Sequence, residues 1–239
     1  MTTWLFDLGN TRLKWAPVLA DGGLGVVQAV AYDDAGAWLA ALPEGHDACI
    51  ASVASAARRE ALLQAVAARF RQLHCVQTQV ALGPLRIAYA EPAHLGVDRF
   101  LAMLAVADAG AALVVGVGTA LTLDLLDADG THRGGRIAPS PQLMREALQA
   151  RAVQLPASGG VYAEFADDTP HALRSGCDGA ALALVERSLQ QAAVQLGQVP
   201  PLMLHGGGAP ALRGQLPAHA WMPDVVLQGL ARWYRLRIA

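Results

Sequence analysis

Trp4-Leu5-Phe6-Asp7-Leu8-Gly9-Asn10-Thr11, near the start of the chain, has a second version near its middle, Val114-Val115-Gly116-Val117-Gly118-Thr119-Ala120-Leu121. Each is an apolar strand that stops at a glycine turn and continues through a hydroxyl residue into another strand. The apolar runs suit a buried strand, and the glycine lets the backbone reverse without a Cβ in the way. A pattern used twice in one chain predicts two related halves.

Working outward from the first copy, strands are expected at 4–8, 12–18 and 25–32, with turns at Gly9-Asn10 and Asp21-Gly22-Gly23. A helix at 35–42 and a buried strand at 48–53 follow. Residues 56–73 read as one helix, because Leu62, Val66, Phe70 and Leu73 fall on one face. A strand at 75–80 and a helix starting near Asp98 complete this half. Around the second copy, strands are expected at 112–117, 119–126 and 133–138, the last pair joined at Asp129-Gly130, a hairpin dipeptide. Helices at 142–153 and 177–196 follow, the second stopped by Gly197. A strand at 202–205 runs into Gly206-Gly207-Gly208, and a helix spans 224–234. Alternating strands and helices predict an α/β fold of two duplicated domains, 1–110 and 111–239. Mixed sheets would be flanked by helices, with a ligand cleft between the domains.

The chain has 239 residues, 54% of them hydrophobic and only 16% charged. Aromatics are 5%, so Ala, Leu and Val must fill the core. A net charge of −2 gives no electrostatic basis for nucleic acid or an anionic membrane as partner. The most apolar stretch, 101–126, is broken by Asp108 and several glycines, which excludes a spanning helix of about 20 apolar residues. Met1-Thr2-Thr3-Trp4-Leu5-Phe6-Asp7 has neither a basic start nor an apolar signal core, so a cytoplasmic protein is expected. Cys49, Cys75 and Cys177 are too far apart for a metal site and are expected to be buried thiols. The seven histidines form no pair at metal-binding spacing, and His94, His132, His171 and His205 read as surface or capped residues.

Four segments can carry chemistry. In the first, period-two alternation puts Asp7 on the face opposite Phe6 and Leu8. The Gly9 turn leaves amides open to phosphate oxygens, Asn10 and Thr11 add donors, and Asp7 can hold a hydrated magnesium ion. An ordinary hairpin is the other reading of Gly9-Asn10. In the second, the Thr119 hydroxyl can reach a nucleotide phosphate. The third is Gly96-Val97-Asp98-Arg99 at a helix start, where free amides favour anions. Asp98 there is either the helix cap or a general base, and Arg99 suits a carboxylate or phosphate. The fourth, Gly206-Gly207-Gly208, either lets backbone approach a flat ligand such as adenine or is a simple loop.

In their order and spacing, the first three segments and Gly134-Gly135-Arg136-Ile137-Ala138-Pro139 resemble the type III pantothenate kinases, a branch of the actin, Hsp70 and sugar-kinase superfamily. The resemblance spans nearly the whole chain. It implies duplicated ribonuclease-H-like domains and a homodimer whose substrate site lies near the subunit interface. It also implies ATP- and magnesium-dependent phosphorylation of pantothenate to 4'-phosphopantothenate, the first step of coenzyme A biosynthesis. By position, Asp7, Leu8, Gly9, Asn10, Thr11, Arg12, Leu13 and Lys14 resemble the first phosphate loop, and Thr119 the ATP contact of the second. Asp98 matches the catalytic base, and Gly96, Val97, Asp98 and Arg99 the substrate-binding segment. Tyr89 and Thr169 resemble pantothenate contacts, Thr169 across the dimer.

The pattern departs at Gly116, where family members often carry an acid that helps bind a monovalent cation. Glycine has no side chain to coordinate one, so the resemblance leaves a potassium or ammonium site open. Gly116 also keeps a different class of reading in view, a non-catalytic regulatory relative that binds nucleotide or a metabolite. A sugar kinase of the same superfamily is a further alternative.

Overall fold

The computed structural model describes residues 2–32 and 37–238. Asp33 to Gly36 lie outside them, so of the helix expected at 35–42 only Ala37–Ala40 (α1) is seen. The chain divides into two compact units, the first made of residues 1–110, 129–132 and 224–239, the second of 111–128 and 133–223.

The first unit is built on β1 (Thr3–Leu8), β2 (Arg12–Pro17), β3 (Gln28–Ala31), β4 (Gly45–Ser52) and β5 (Phe70–Cys75). Their order in the sheet is β3-β2-β1-β4-β5. β1 is antiparallel to β2 and parallel to β4, so the sheet is mixed. Phe6, Leu8, Leu13, Trp15, Ile50 and Phe70 form one core with Leu62 and Val66 of α2 (Ala56–Ala67). Ser55 caps α2 by accepting from the Arg58 amide at 3.5 Å. A two-stranded hairpin, β6 (Ala81–Leu82) and β7 (Leu85–Arg86), precedes α3 (Val97–Val106).

The second unit repeats the plan with β8 (Ala112–Val117), β9 (Ala120–Leu126), β10 (His132–Pro139), β11 (Leu202–His205) and β12 (His219–Trp221). The order is β10-β9-β8-β11-β12, the same as in the first sheet with each strand replaced by its counterpart. α4 (Pro141–Arg151) starts on Ser140, whose hydroxyl accepts from the Leu143 amide at 3.2 Å. α5 (Thr169–Leu196) starts on Asp168 and ends at Gly197, whose φ of +74° is the left-handed stop expected of it. Leu182, Val185 and Leu189 of α5 pack on Leu113, Val115 and Leu123.

α6 (Val225–Arg237) follows the second unit in sequence but packs on α3 and β1 of the first. The approach to α3 is close enough that a Cβ on Gly229 would collide with the Leu101 carbonyl.

Several elements differ from those expected. α2 ends at Ala67, and Phe70–Cys75 is a strand in parallel register with β4, from Gly45 opposite Phe70 to Ile50 opposite Cys75. Phe70 meets Phe6 edge-on at 5.7 Å from this strand, not from a helix face, and no strand occupies 76–80. Helical spacing of four apolar residues lost to sheet pairing. α5 begins at Thr169 rather than at residue 177, since Asp168 followed by Thr169-Pro170 is a cap with proline in the first turn. Cys49 and Cys177 are buried, but Cys75, on the edge strand β5, is exposed.

Candidate active site

Asp7 and Lys14 face each other across β1 and β2. Asp7 is half-buried while its neighbours Phe6 and Leu8 are fully buried, as alternation requires. Burial pushes its carboxyl up to about 7, and the charge of Asp98 adds to the rise. Lys14 works against the rise and Asp224 reinforces it. Asp98, Asp224 and the Lys14 ammonium are therefore each within electrostatic reach of Asp7. The Lys14 Nζ lies 3.0 Å from Asp224 Oδ1.

The turn after β1 is braced from outside. The Gly9 amide donates to the Arg12 carbonyl at 3.1 Å. The Tyr32 hydroxyl donates to the Gly9 carbonyl at 3.2 Å, and Arg58 donates through Nη1 to the Asn10 carbonyl. The Arg58 guanidinium also sits 4.5 Å from the centre of the Tyr32 ring. These bonds tie down the carbonyl side of the loop. Asn10, Thr11 and Arg12 are exposed on it, whereas Leu8 and Leu13 are wholly buried and serve the core.

At the head of α3 the cap is Gly96, not Asp98. Asp98 lies within the first turn, and its Oδ1 accepts from the Arg99 amide at 2.9 Å. A Cβ on Gly96 would stand 2.6 Å from that same Oδ1, so the absence of a side chain makes the space the carboxylate occupies. Val97 is buried. Arg99, also buried, reaches the Tyr89 hydroxyl at 3.4 Å, and Tyr89 stacks on His132 with ring centres 6.0 Å apart. His132, expected at the surface or in a cap, is 1% exposed.

Thr119 and Thr169 belong to the second unit. Thr119 is exposed beside the turn that Gly118 closes by donating to the Ala120 carbonyl at 2.9 Å. Thr169 is the exposed first residue of α5. Gly206 takes φ +96°, and the Gly208 amide donates to the Val117 carbonyl at 2.9 Å. At Gly116 a Cβ would lie 2.8 Å from both His205 Nε2 and Thr122 Oγ1, so neighbouring side chains fill the place of an acid.

Within the first unit, then, two groups form: Asp7, Lys14 and Asp98 with Asp224, and Tyr89 with Arg99. Sequence reasoning missed Tyr32, Arg58 and Asp224. Only Asp224 had a signal, its place immediately before a helix, and that signal says cap.

The family model described as type III pantothenate kinase matches residues 4–191. The chain belongs to the type III pantothenate kinase family. Relatives of that name from Stenotrophomonas maltophilia (strain K279a) and Xanthomonas campestris pv. campestris (strain B100) are 57% and 56% identical over 237 residues. Each alignment covers 98% of this chain and 97% of the relative. Among solved structures, a protein described as a Baf family transcriptional activator from Campylobacter jejuni aligns with a TM-score of 0.65 at 19% identity, covering 97% of both chains. One described as a 2-dehydro-3-deoxygalactonokinase from Sinorhizobium meliloti aligns at 0.59 and 15%, covering 99% of this chain and 97% of its own. At such identities these two show a shared fold and nothing beyond it. The matched span of the family model takes in Asp7, Lys14, Tyr89, Asp98, Thr119 and Thr169 but stops short of Asp224.

Proposed function

We infer that the chain transfers the γ-phosphoryl group of ATP to the primary hydroxyl of pantothenate, giving 4'-phosphopantothenate and ADP at the first step of coenzyme A biosynthesis. The observation that carries this reading is the near-full-length similarity to relatives named type III pantothenate kinase. The carboxylates of Asp7 and Asp98, brought together in the first unit, agree with it.

Phosphoryl transfer depends on positioning and charge stabilisation more than on covalent help from the protein. The pantothenate hydroxyl oxygen attacks the γ-phosphorus as the bond to the β,γ-bridging oxygen breaks, and that oxygen leaves with ADP. Asp98 takes the hydroxyl proton. Lys14 and the exposed turn residues Asn10 and Thr11 meet the nucleotide phosphates, the Gly9 amide being taken by the Arg12 carbonyl, and Thr119 adds a hydroxyl. Arg99, oriented by Tyr89, suits the pantothenate carboxylate, with Thr169 supplied across a homodimer.

Among the described residues, no group of three or more His, Cys, Asp or Glu is arranged to hold a metal ion by itself. Magnesium does not need one, since it keeps several waters and takes one or two carboxylates beside the substrate phosphates. The crowded Asp7 fits that role through water. Bound there with ATP, magnesium would offset the charge that develops on the phosphates. With Gly116 hemmed in by His205 and Thr122, the reading includes no potassium or ammonium ion at that position.

A homodimer is part of the reading. An apolar groove of about 660 Å³ between α4 and α5, lined by Leu143, Met144, Leu148, Leu173 and Cys177, is surface that a second copy would cover. Among the described residues no helix is long and apolar enough to cross a membrane, and the cytoplasm is the compartment proposed.

The test is magnesium-dependent ATP turnover with and without pantothenate, in sodium, potassium and ammonium buffers. Turnover that requires pantothenate and ignores the cation is expected. A folded protein that hydrolyses or transfers nothing would overturn the reading in favour of a regulatory relative.

A further inference from the structure

Asp224 occupies the N-cap position of α6: its carbonyl accepts from the Gln228 amide at 3.0 Å, the first turn of the helix. Aspartate is among the best capping residues because its carboxylate normally accepts from an amide in that turn. Here the carboxylate makes no such bond. It turns instead to Lys14, with Oδ1 3.0 Å from Nζ, across 210 residues of sequence. Both side chains are still partly open to solvent, at 29% and 28%. The arrangement gives up a capping bond for a contact with a lysine that lies directly across from Asp7.

We propose that Asp224 is a positioning residue for nucleotide binding, holding the Lys14 ammonium beside Asp7 so that incoming phosphates meet a cation already in place. The proposal rests on the kinase reading above and adds to it a residue outside the region that the family model matches. A free lysine side chain has four rotatable bonds, and ordering it costs conformational entropy when a phosphate arrives. Asp224 orders it beforehand. The sign of the effect separates this role from simple electrostatics: removing a carboxylate near phosphates should by itself strengthen anion binding, whereas losing the clamp weakens it.

The experiment is calorimetric titration of the full chain with MgADP, for the parent, Asp224→Ser, Lys14→Met and the double variant. Serine keeps a good cap for α6, so helix stability is preserved while the ion pair is lost. Asp224→Ser is expected to weaken MgADP by roughly 10-fold, the scale of ordering one lysine. Its melting temperature should be unchanged, and in turnover the KM for ATP should rise with kcat held. In the Lys14→Met background the same substitution should weaken nothing. Equal weakening in both backgrounds, or none in the parent background, overturns the proposal. A parent that fails to bind MgADP at all overturns the kinase reading itself, and the clamp with it.

Discussion

Arg99 engages Tyr89 in two ways: Nη1 lies 3.4 Å from the phenol oxygen, and the guanidinium carbon lies 5.8 Å from the ring centre. The hydrogen bond is long, so the ring contact and the stack on His132 do much of the orienting. Tyr89→Phe keeps the ring and loses only the hydroxyl. It should raise the KM for pantothenate about 5-fold, the worth of one modest hydrogen bond, with kcat nearly unchanged. Tyr89→Ala removes both contacts and should cost more in KM. Steady-state kinetics with pantothenate varied at saturating ATP decide it, and equal KM values for Tyr89→Phe and Tyr89→Ala would contradict the orienting role of the ring.

Asp98→Asn should keep the fold and lose about 10²–10⁴-fold in kcat, the usual contribution of a general base. Gly96→Ala tests the same carboxylate indirectly, since the added methyl must displace Asp98 Oδ1. It should reduce kcat while far-ultraviolet circular dichroism stays that of the parent. Full activity in either folded variant would remove Asp98 from the mechanism.

Asp7 predicts a pH dependence of stability in the ligand-free protein. Its carboxyl rises from 3.8 to about 7 on folding, through burial first and Asp98 next. The folded state then binds the proton more tightly than the unfolded chain, so this group lowers stability as pH climbs from 3.8 toward 7. Asp7→Asn should therefore melt higher than the parent above neutrality, with the difference shrinking in acid. Magnesium with ATP should erase the advantage. Thermal melts across pH check both statements.

Asp47 works in the opposite direction. Burial raises its carboxyl, but hydrogen bonds from His74 Nε2 at 3.1 Å and His46 Nδ1 at 3.0 Å outweigh that and hold it below 3.8. The Tyr234 hydroxyl of α6 donates to it as well, at 3.3 Å. A lowered carboxylate contributes stability that is present above its unfolded value and disappears as pH falls through its folded one. Asp47→Asn should thus cost stability near neutrality, and the gap to the parent should close at acid pH. A gap that stays constant through acid would show that the carboxylate charge is not what matters.

Both sheets were legible because β1 and β8 are short apolar runs closed by glycine turns, and a repeated pattern leaves little choice of fold. β5 was not, since Leu62, Val66, Phe70 and Leu73 satisfy helical spacing, and only pairing with β4 separates strand from helix there. β12, three residues long, is below what alternation can reveal. In the site, Asp7 and Asp98 stand within local motifs and could be picked out. Tyr32, Arg58 and Asp224 act on Gly9, Asn10 and Lys14 from 23, 48 and 210 residues away, and no local spacing records such contacts.

The packing of α6 on α3 and β1 has a consequence for how the chain is made. Translation delivers the first sheet early, but Val226, Leu227, Leu230 and Trp233, the residues of α6 that shelter in the first unit, leave the ribosome only after residues 133–223. The earlier unit in sequence is the later one to close. Until then Leu101 and its neighbours on α3 lack their partner helix, so a nascent chain stalled before residue 224 presents that apolar face to chaperones and proteases. Such a stall would leave exposed the half that carries Asp7 and Asp98.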